Sequence, residues 1–503
     1  MDVNVDITLN NETDHYYVAI DLGSNSFHML IVRENRGLIE VVDRVKDMVQ
    51  IARGLKNGVL SEEAQNRALE CLQCFNERIQ EIPAEHIKAV GTKALRAASN
   101  GPEFLYQAEK ALGVPIQLVS GYEEARLVYV GVSNNISQDH QKRLVIDIGG
   151  ASTEFIVGQD YSPRLLESLS IGCVTFTEKY LTNAKGELDI TPKTLNNVYI
   201  AASEELEGIR SIYRSEGWDI TYGASGTMKS VTEIMPIMTP AGIISREGVN
   251  ELYRQLGENK EIKIDNVTKQ RRFVMPAGIA ILKAILDQLD IEELHVSDAA
   301  LKEGLIHETI GRLKHHDIRD ETVTKHIAKY HVDRSQAERV KHIALSLFQQ
   351  LQPACVDGIN CTSVLGWSAL LHEIGLTISH SGYHHHGRYI LENSDLAGFN
   401  RYEQYLLATL VGMHRRKINQ NRIEALNPAH RDAILSMAIC LRLATVLNRK
   451  RDDLEFPPSI AWTDKSITLT FETQWLENNP LTQRSLTQEA EYLSRIGITL
   501  NYY

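Results

Sequence analysis

Two short stretches of this chain place an aspartate, a glycine and small hydroxyl residues at the end of an apolar run. Asp21-Leu22-Gly23-Ser24-Asn25-Ser26 follows Tyr17-Val18-Ala19-Ile20, and Asp147-Ile148-Gly149-Gly150-Ala151-Ser152 follows Leu144-Val145-Ile146. Each continues into β-prone residues, 27–32 and 153–157, so each reads as strand, tight turn, strand. Glycine lets the N–H groups of such a turn approach an anion closely, and the hydroxyls add donors, so the turn suits phosphate. The aspartate cannot hold phosphate itself. It can hold hydrated Mg²⁺, which takes few carboxylates together with waters and phosphate oxygens. A single copy reads first as an ordinary hairpin turn. Two copies facing each other would close a phosphate and metal site between two lobes.

A candidate base lies between the two copies. Ser120-Gly121-Tyr122-Glu123-Glu124 opens a helix after a strand at 116–119. Ser120 and Glu123 fit a capping box, which gives Glu123 a structural task. Glu124 is then left to face a cleft and orient or deprotonate a water. Both glutamates are also what a helix N-terminus favours electrostatically, and spacing alone leaves that reading open. After a strand at 87–90, Thr92 can cap a helix carrying Lys93 and Arg96 in its first turns, which makes Arg96 a second anion contact or a surface residue. Gly223-Ala224-Ser225-Gly226-Thr227 is a third Gly/Ser turn after a strand. It is no Walker loop, because no Gly-Lys-Ser/Thr follows at the required spacing. It serves a long or nucleotide-like phosphate ligand, or is a plain strand-to-helix turn.

The elements that must position these residues alternate between strand and helix through 1–135 and 136–308, the pattern of α/β lobes. Further strand is expected at 39–51, and Ser61 is expected to cap a helix that holds Cys71 and Cys74. From 309 to 455 apolar residues recur at helical spacing, over 335–351, 363–378, 400–413 and 431–448. Residues 456–503 read as a small α/β domain. The 503 residues carry a net charge of −12, which argues against a general nucleic-acid binder. No apolar run reaches the roughly 20 residues of a membrane span, and the polar first fourteen residues lack a signal-peptide profile. Of the six cysteines, Cys71 and Cys74 form a CxxC without a second pair and read as packed thiols in a reducing compartment. A cytoplasmic location without integral membrane association is expected.

The helical region gathers His342, His372, His380, His384, His385, His386 and His414, and the cationic groups Arg415-Arg416-Lys417, Arg422 and Arg449-Lys450-Arg451. His342 and His372-Glu373 resemble the HD phosphohydrolases, which ligate a metal pair with histidines and aspartates. Glu373 stands where that family has aspartate, and Thr445 where its late aspartate is expected. Hard carboxylate ligands are thus altered or missing, and the expectation is an HD-like domain that has lost its chemistry. Arg415, Arg416 and Lys417 line a groove for a polyanion, or are solvated helix ends; both readings stand.

Taken together, residues 19–28, 120–127, 145–154, 223–227 and Ser297-Asp-Ala-Ala-Leu-Lys-Glu-Gly304 resemble the exopolyphosphatase / guanosine pentaphosphate phosphatase family over nearly the whole chain. The resemblance implies an α/β fold of two actin-like (ribonuclease H-like) lobes with a phosphate site in the cleft, then an HD-like helical domain and a small C-terminal α/β domain. It implies that Glu124 activates the attacking water, that Asp147 associates with Mg²⁺, and that Gly149, Gly150 and Ser152 form one phosphate loop. Asp21, Gly23, Ser24, Asn25 and Ser26 match the other loop, and Arg96 a phosphate-contacting arginine. Ala151 departs from the family, where many members carry a third glycine. The implied reaction removes the terminal phosphate of a phosphoanhydride chain without a covalent intermediate, and the implied assembly is a homodimer. Inorganic polyphosphate is the leading substrate expectation, with pppGpp as the sibling. Residues 380–399 look closer to exopolyphosphatases, and Arg451-Asp452-Asp453-Leu454 closer to pentaphosphate phosphatases. An ATP-dependent small-molecule kinase and a non-catalytic alarmone or polyphosphate sensor are the readings from other classes.

Overall fold

The computed structural model describes residues 15–35, 38–136, 140–183, 185–234, 242–259, 269–313, 317–352, 359–424, 428–452, 457–463 and 465–503. Asp453 and Leu454, part of the sequence signal for pentaphosphate phosphatases, lie outside the described residues. The chain divides into two units, 1–316 and 317–503.

The first unit is built on two sheets with one topology. In the first sheet the spatial order is Leu38–Asp47, Phe27–Asn35, His15–Leu22, Ile87–Gly91, Ile116–Leu118. The first three strands run antiparallel, and the last two lie parallel to His15–Leu22. The second sheet repeats this with Ser162–Leu169, Thr153–Gln159, Lys142–Ile148, Ile220–Gly223 and Glu293–Val296, and adds Ile243–Ser245 at the far edge. The two Gly/Ser turns therefore occupy equivalent places. Val18, Ala19 and Ile20, like Leu144, Val145 and Ile146, are fully buried, which is why the central strands read as unbroken apolar runs rather than alternating ones.

Two helices cross between the halves. Gly121–Asn134, which follows the first sheet in sequence, packs on Thr153–Gln159 and Ser162–Leu169 of the second sheet. Leu301–Leu313, which follows the second sheet and runs through residue 308, packs on His15–Leu22 and Phe27–Asn35 of the first. The helices touch each other through glycines: a Cβ on Gly131 would collide with the Ala300 carbonyl, and one on Gly304 with the Leu127 carbonyl. Buried Arg126 ties the pair, donating to Glu123 from Nε and Nη2 at 2.8 Å each and to Glu308 at 2.9 Å. Tyr17, Ala19 and Leu30 of one sheet and Val145 and Ile156 of the other join Leu127, Leu301 and Leu305 in one buried cluster.

The second unit packs the helices Arg334–Leu351, Cys361–Leu371, Tyr383–Asn393, Arg401–Met413 and Arg431–Leu447 around an apolar core. The strands Ser459–Thr463, Ser466–Thr470 and Thr499–Tyr502 form a small sheet beside the helix Pro480–Ser494. Ile467, Leu486 and Leu493 share the core of the larger helices. Fully buried Arg442 meets Glu489 at 2.5 and 3.0 Å and donates to the carbonyls of Met413 and Arg416, so its charge is compensated where water cannot reach. Cys71, Cys74, Cys173, Cys361 and Cys440 are free thiols. Among the described residues no helix is long and apolar enough to cross a membrane.

Candidate functional site

The two Gly/Ser turns face each other. A Cβ on Gly150 would stand 3.1 Å from Ser24 Cβ and 3.4 Å from Asn25 Cβ. Around them lies a cavity of about 410 Å³. Asp21, Gly23, Ser24, Asn25 and Ser26 line it from the first turn, Asp147, Gly149, Gly150 and Ser152 from the second, and Ser225, Gly226 and Glu124 complete the wall. The Gly149 N–H closes the second turn on the Ser152 carbonyl at 2.9 Å, and Cys173 and Val174 N–H groups take the Gly149 and Gly150 carbonyls at 3.0 and 2.9 Å.

Strand register turns each aspartate into the head of a cross-strand row. In the first sheet Asp21 pairs with His28, and His28 with Lys46. Burial, then the nearby Glu124, pushes the Asp21 carboxyl up to about 7, and its Oδ1 meets no protein donor. His28 Nε2 shares a hydrogen bond with Ser26 Oγ at 2.8 Å; burial and the charge of Lys46 hold the ring at about 3, hence neutral. Burial and the neighbouring Arg271, Lys302 and Lys229 bring Lys46 down to about 8.

In the second sheet Asp147 pairs with Glu154, and Glu154 with Ser168. Burial first, then Glu124 and Asp21, raise Asp147 well above the usual carboxylate range. Glu154 is raised likewise by burial, Glu124 and Asp147, although Ser168 Oγ donates to its Oε1 at 2.8 Å. Four carboxylates, Glu124 and Glu154 buried and Asp21 and Asp147 half-buried, thus crowd one cavity, which also presents Lys46, Lys229, Arg271 and Lys302. Like charges at close quarters in a poorly solvated site favour either protons or a cation.

Glu124 is not without a partner, as its spacing implied. Arg96 Nη1 donates to its Oε2 at 3.2 Å and also to the Val119 carbonyl. Burial still raises the Glu124 carboxyl, with Arg96 opposing. Arg96 is not among the residues lining the cavity; it holds the Glu124 carboxylate that is. Ser120 does cap its helix, accepting the Glu123 N–H at 3.1 Å, but the Glu123 carboxylate is engaged by Arg126. Ser61 and Thr92 stand at helix N-caps without a side-chain capping bond. Gly223 is away from the cavity: a Cβ there would meet Leu294 Cδ2 at 2.6 Å and Met228 Cγ at 2.8 Å, so this glycine serves strand-to-helix packing. Sequence reasoning passed over Glu154, Lys46, Arg271 and Lys302. Strand alternation from Ser152 could have found Glu154, and Lys302 sits in a stretch already singled out.

Among the described residues no three His, Cys, Asp or Glu side chains converge as a metal ligand set. Asp21 and Asp147 offer few, hard oxygens, of which Asp21 Oδ1 is buried without a donor. That set fits Mg²⁺, which keeps waters and phosphate oxygens in its shell, and does not fit a closed zinc site.

In the second unit the Arg415 guanidinium lies over the Tyr383 ring at 4.5 Å, while Arg416 and Lys417 are exposed. His342 is on the surface, whereas His372 and Glu373 are buried. Thr445 Oγ1 donates to its own helix, at Leu441 O, 2.8 Å.

Two sheets of one topology around a cavity with carboxylates and cations define the class as a two-lobed actin-like fold with a site suited to phosphate. The chain belongs to the Ppx/GppA phosphatase family, which matches residues 30–313, with the family's domain III matching 318–490. The guanosine-5'-triphosphate,3'-diphosphate pyrophosphatase of Pseudoalteromonas translucida is 37% identical over 489 residues, 96% of this chain and 97% of the relative. That of Photobacterium profundum is 36% identical over 496 residues, 97% and 98% of the two chains. That of Vibrio atlanticus is 38% identical over 492 residues, 96% and 97%. Among solved structures, an exopolyphosphatase from Cytophaga hutchinsonii aligns with TM-score 0.53 and 23% identity over 59% of this chain and 98% of its own, a likeness of fold alone.

Proposed function

We propose that this chain is a guanosine pentaphosphate phosphatase that hydrolyses the terminal 5' phosphate of pppGpp, giving ppGpp and orthophosphate in the cytoplasm. The observation that carries this is end-to-end similarity, at 36–38% identity, to relatives bearing that name. It reverses the order expected from sequence, which put polyphosphate first.

In this reading the Gly23–Ser26 and Gly149–Ser152 turns, with Ser225 and Gly226, cradle the phosphates through N–H and hydroxyl donors. Lys46, Lys229, Arg271 and Lys302 offset the charge that the chain brings in. Glu124 accepts a proton as the water oxygen bonds to the terminal phosphorus and the bridging P–O bond breaks; ppGpp leaves with that bridging oxygen. Arg96 fixes the direction of the Glu124 carboxylate. Mg²⁺ held by Asp147, with Asp21 nearby, would supply charge stabilisation for the phosphates. Polyphosphate is a second reading, favoured by the cationic cavity wall, which touches phosphates whatever they are attached to. Arg415, Arg416 and Lys417 as a groove for long chains belong to that reading as a proposal; a homodimer, implied by the family resemblance, is a proposal under either reading.

The test is phosphate release with Mg²⁺ from pppGpp, long polyphosphate and ATP, for wild type and Glu124→Gln. The expected result is highest kcat/KM on pppGpp, and a fall of about 10²–10⁴-fold in kcat for the variant. Preference for long polyphosphate would restore the earlier order; equal rates of variant and wild type would remove Glu124 from its role.

A further inference from the structure

The second unit holds a group of buried donors that the phosphate cavity does not use. His372 and His414 are each 1% exposed, His384 5% and Glu373 8%. Four of their atoms, His372 Nε2, His414 Nε2, His384 Nδ1 and Glu373 Oε2, are buried and meet no hydrogen-bond partner. Leaving one such atom bare costs on the order of 1–3 kcal/mol, so each of the four calls for a partner.

His372 and His414 are placed alike. Each follows the last residue of its helix, Cys361–Leu371 or Arg401–Met413. Each folds its ring back so that Nδ1 meets the carbonyl three residues earlier, Ala369 at 2.7 Å and Val411 at 2.6 Å. A carbonyl accepts only, so Nδ1 carries the proton and Nε2 keeps its lone pair, the arrangement that backs metal-ligating histidines. The ring centres lie 5.4 Å apart, with the planes at 87°. Two imidazoles sharing an ion at about 2.0–2.1 Å have ring centres roughly 5 Å apart. The His384 ring centre is 6.1 Å from that of His414. Arg451 donates to Glu373 Oε1 at 2.7 Å, so that carboxylate too is held from behind while Oε2 stays bare.

We propose that His372, His384, His414 and Glu373 bind a divalent transition-metal ion of the zinc class. Three imidazoles and one carboxylate are borderline donors that suit zinc over Mg²⁺. Among the described residues no three of these donors already share a coordination sphere, so His384 and Glu373 turn in as the ion arrives. The site differs from the HD pattern expected from sequence, because exposed His342 is not part of it and His384 and His414 are. The ion would pin two helix ends and the start of Tyr383–Asn393 together, a structural task independent of the proposed pppGpp chemistry.

The test uses the full chain, stripped with a chelator and titrated with Co²⁺ in excess Mg²⁺. One Co²⁺ per chain is expected, with the intense visible absorption of tetrahedral coordination, displaced by Zn²⁺. His372→Ala and His414→Ala should abolish the absorption while far-ultraviolet circular dichroism stays unchanged, and His342→Ala should leave it intact. If an alanine variant loses its fold, Glu373→Gln gives the reading: Co²⁺ binding weakened at least about tenfold. Absence of stoichiometric Co²⁺ in the wild type overturns the proposal, as does absorption that survives in folded variants.

Discussion

The two Gly/Ser turns sit at equivalent places in two copies of one sheet, yet the rows behind them carry opposite chemistry. Asp21 leads to His28 and Lys46; Asp147 leads to Glu154 and Ser168. The first row ends in a cation held below its usual pKa by burial and other cations, while the second carries at its middle a carboxylate held above its own. In the proposed reading, one backbone repeated twice would supply both halves of a phosphate site: a side for anionic oxygen and a side for a metal ion. The turn is alike in both sheets, while the difference is written on the strands beside it, Glu154 one strand away and Lys46 two.

The strongest challenge to this division is Asp147→Asn. It should lower kcat on pppGpp by about 10³-fold, and Asp21→Asn by clearly less; equal losses would erase the distinction between the turns. Next, Glu154→Gln should raise the Mg²⁺ concentration for half-maximal rate by about tenfold, measured in a Mg²⁺ titration at saturating substrate. Lys46→Ala should act on the other side, raising KM about tenfold with kcat little changed and a weaker dependence of KM on salt. A shift in Mg²⁺ demand for Lys46→Ala would mean that the rows are not separate in function. The smallest effect concerns stability without Mg²⁺. Asp21 has a raised carboxyl pKa, so the folded state binds the extra proton between about 4 and 7, and stability falls as pH rises through that window. Asp21→Asn should weaken that dependence, leaving the part due to Asp147 and Glu154, and be more stable at pH 8, by at most roughly 4 kcal/mol, read from denaturant unfolding.

The turns were legible because their chemistry is local: Asp, Gly and Ser within six residues, after an apolar run. The α/β alternation and the change to helices were legible for the same reason, since periodicity lives within one element. Lys46 was not, because its place depends on the register of a long hairpin that shifts between Ile31 and Val32. Arg271 was not, because only tertiary packing brings its helix to Gly226 and Ser230. The partner of Glu123 shows the limit of spacing rules: the cap at Ser120 formed, but Arg126 one turn on outbid the backbone for the carboxylate. His384 and His414 were visible as residues, while their convergence with His372 depends on where separate helices end.

The exchanged helices have a consequence for the protein in fragments. Residues 1–135 end in a helix made for the other sheet, and the apolar face formed by Tyr17, Ala19, Leu30 and Val32 is covered by Leu301, Leu305 and Ile306. Neither half carries its own lid. A polypeptide cut between residues 136 and 140 should yield two pieces that aggregate when made alone and reassemble when made together, the behaviour of a split reporter.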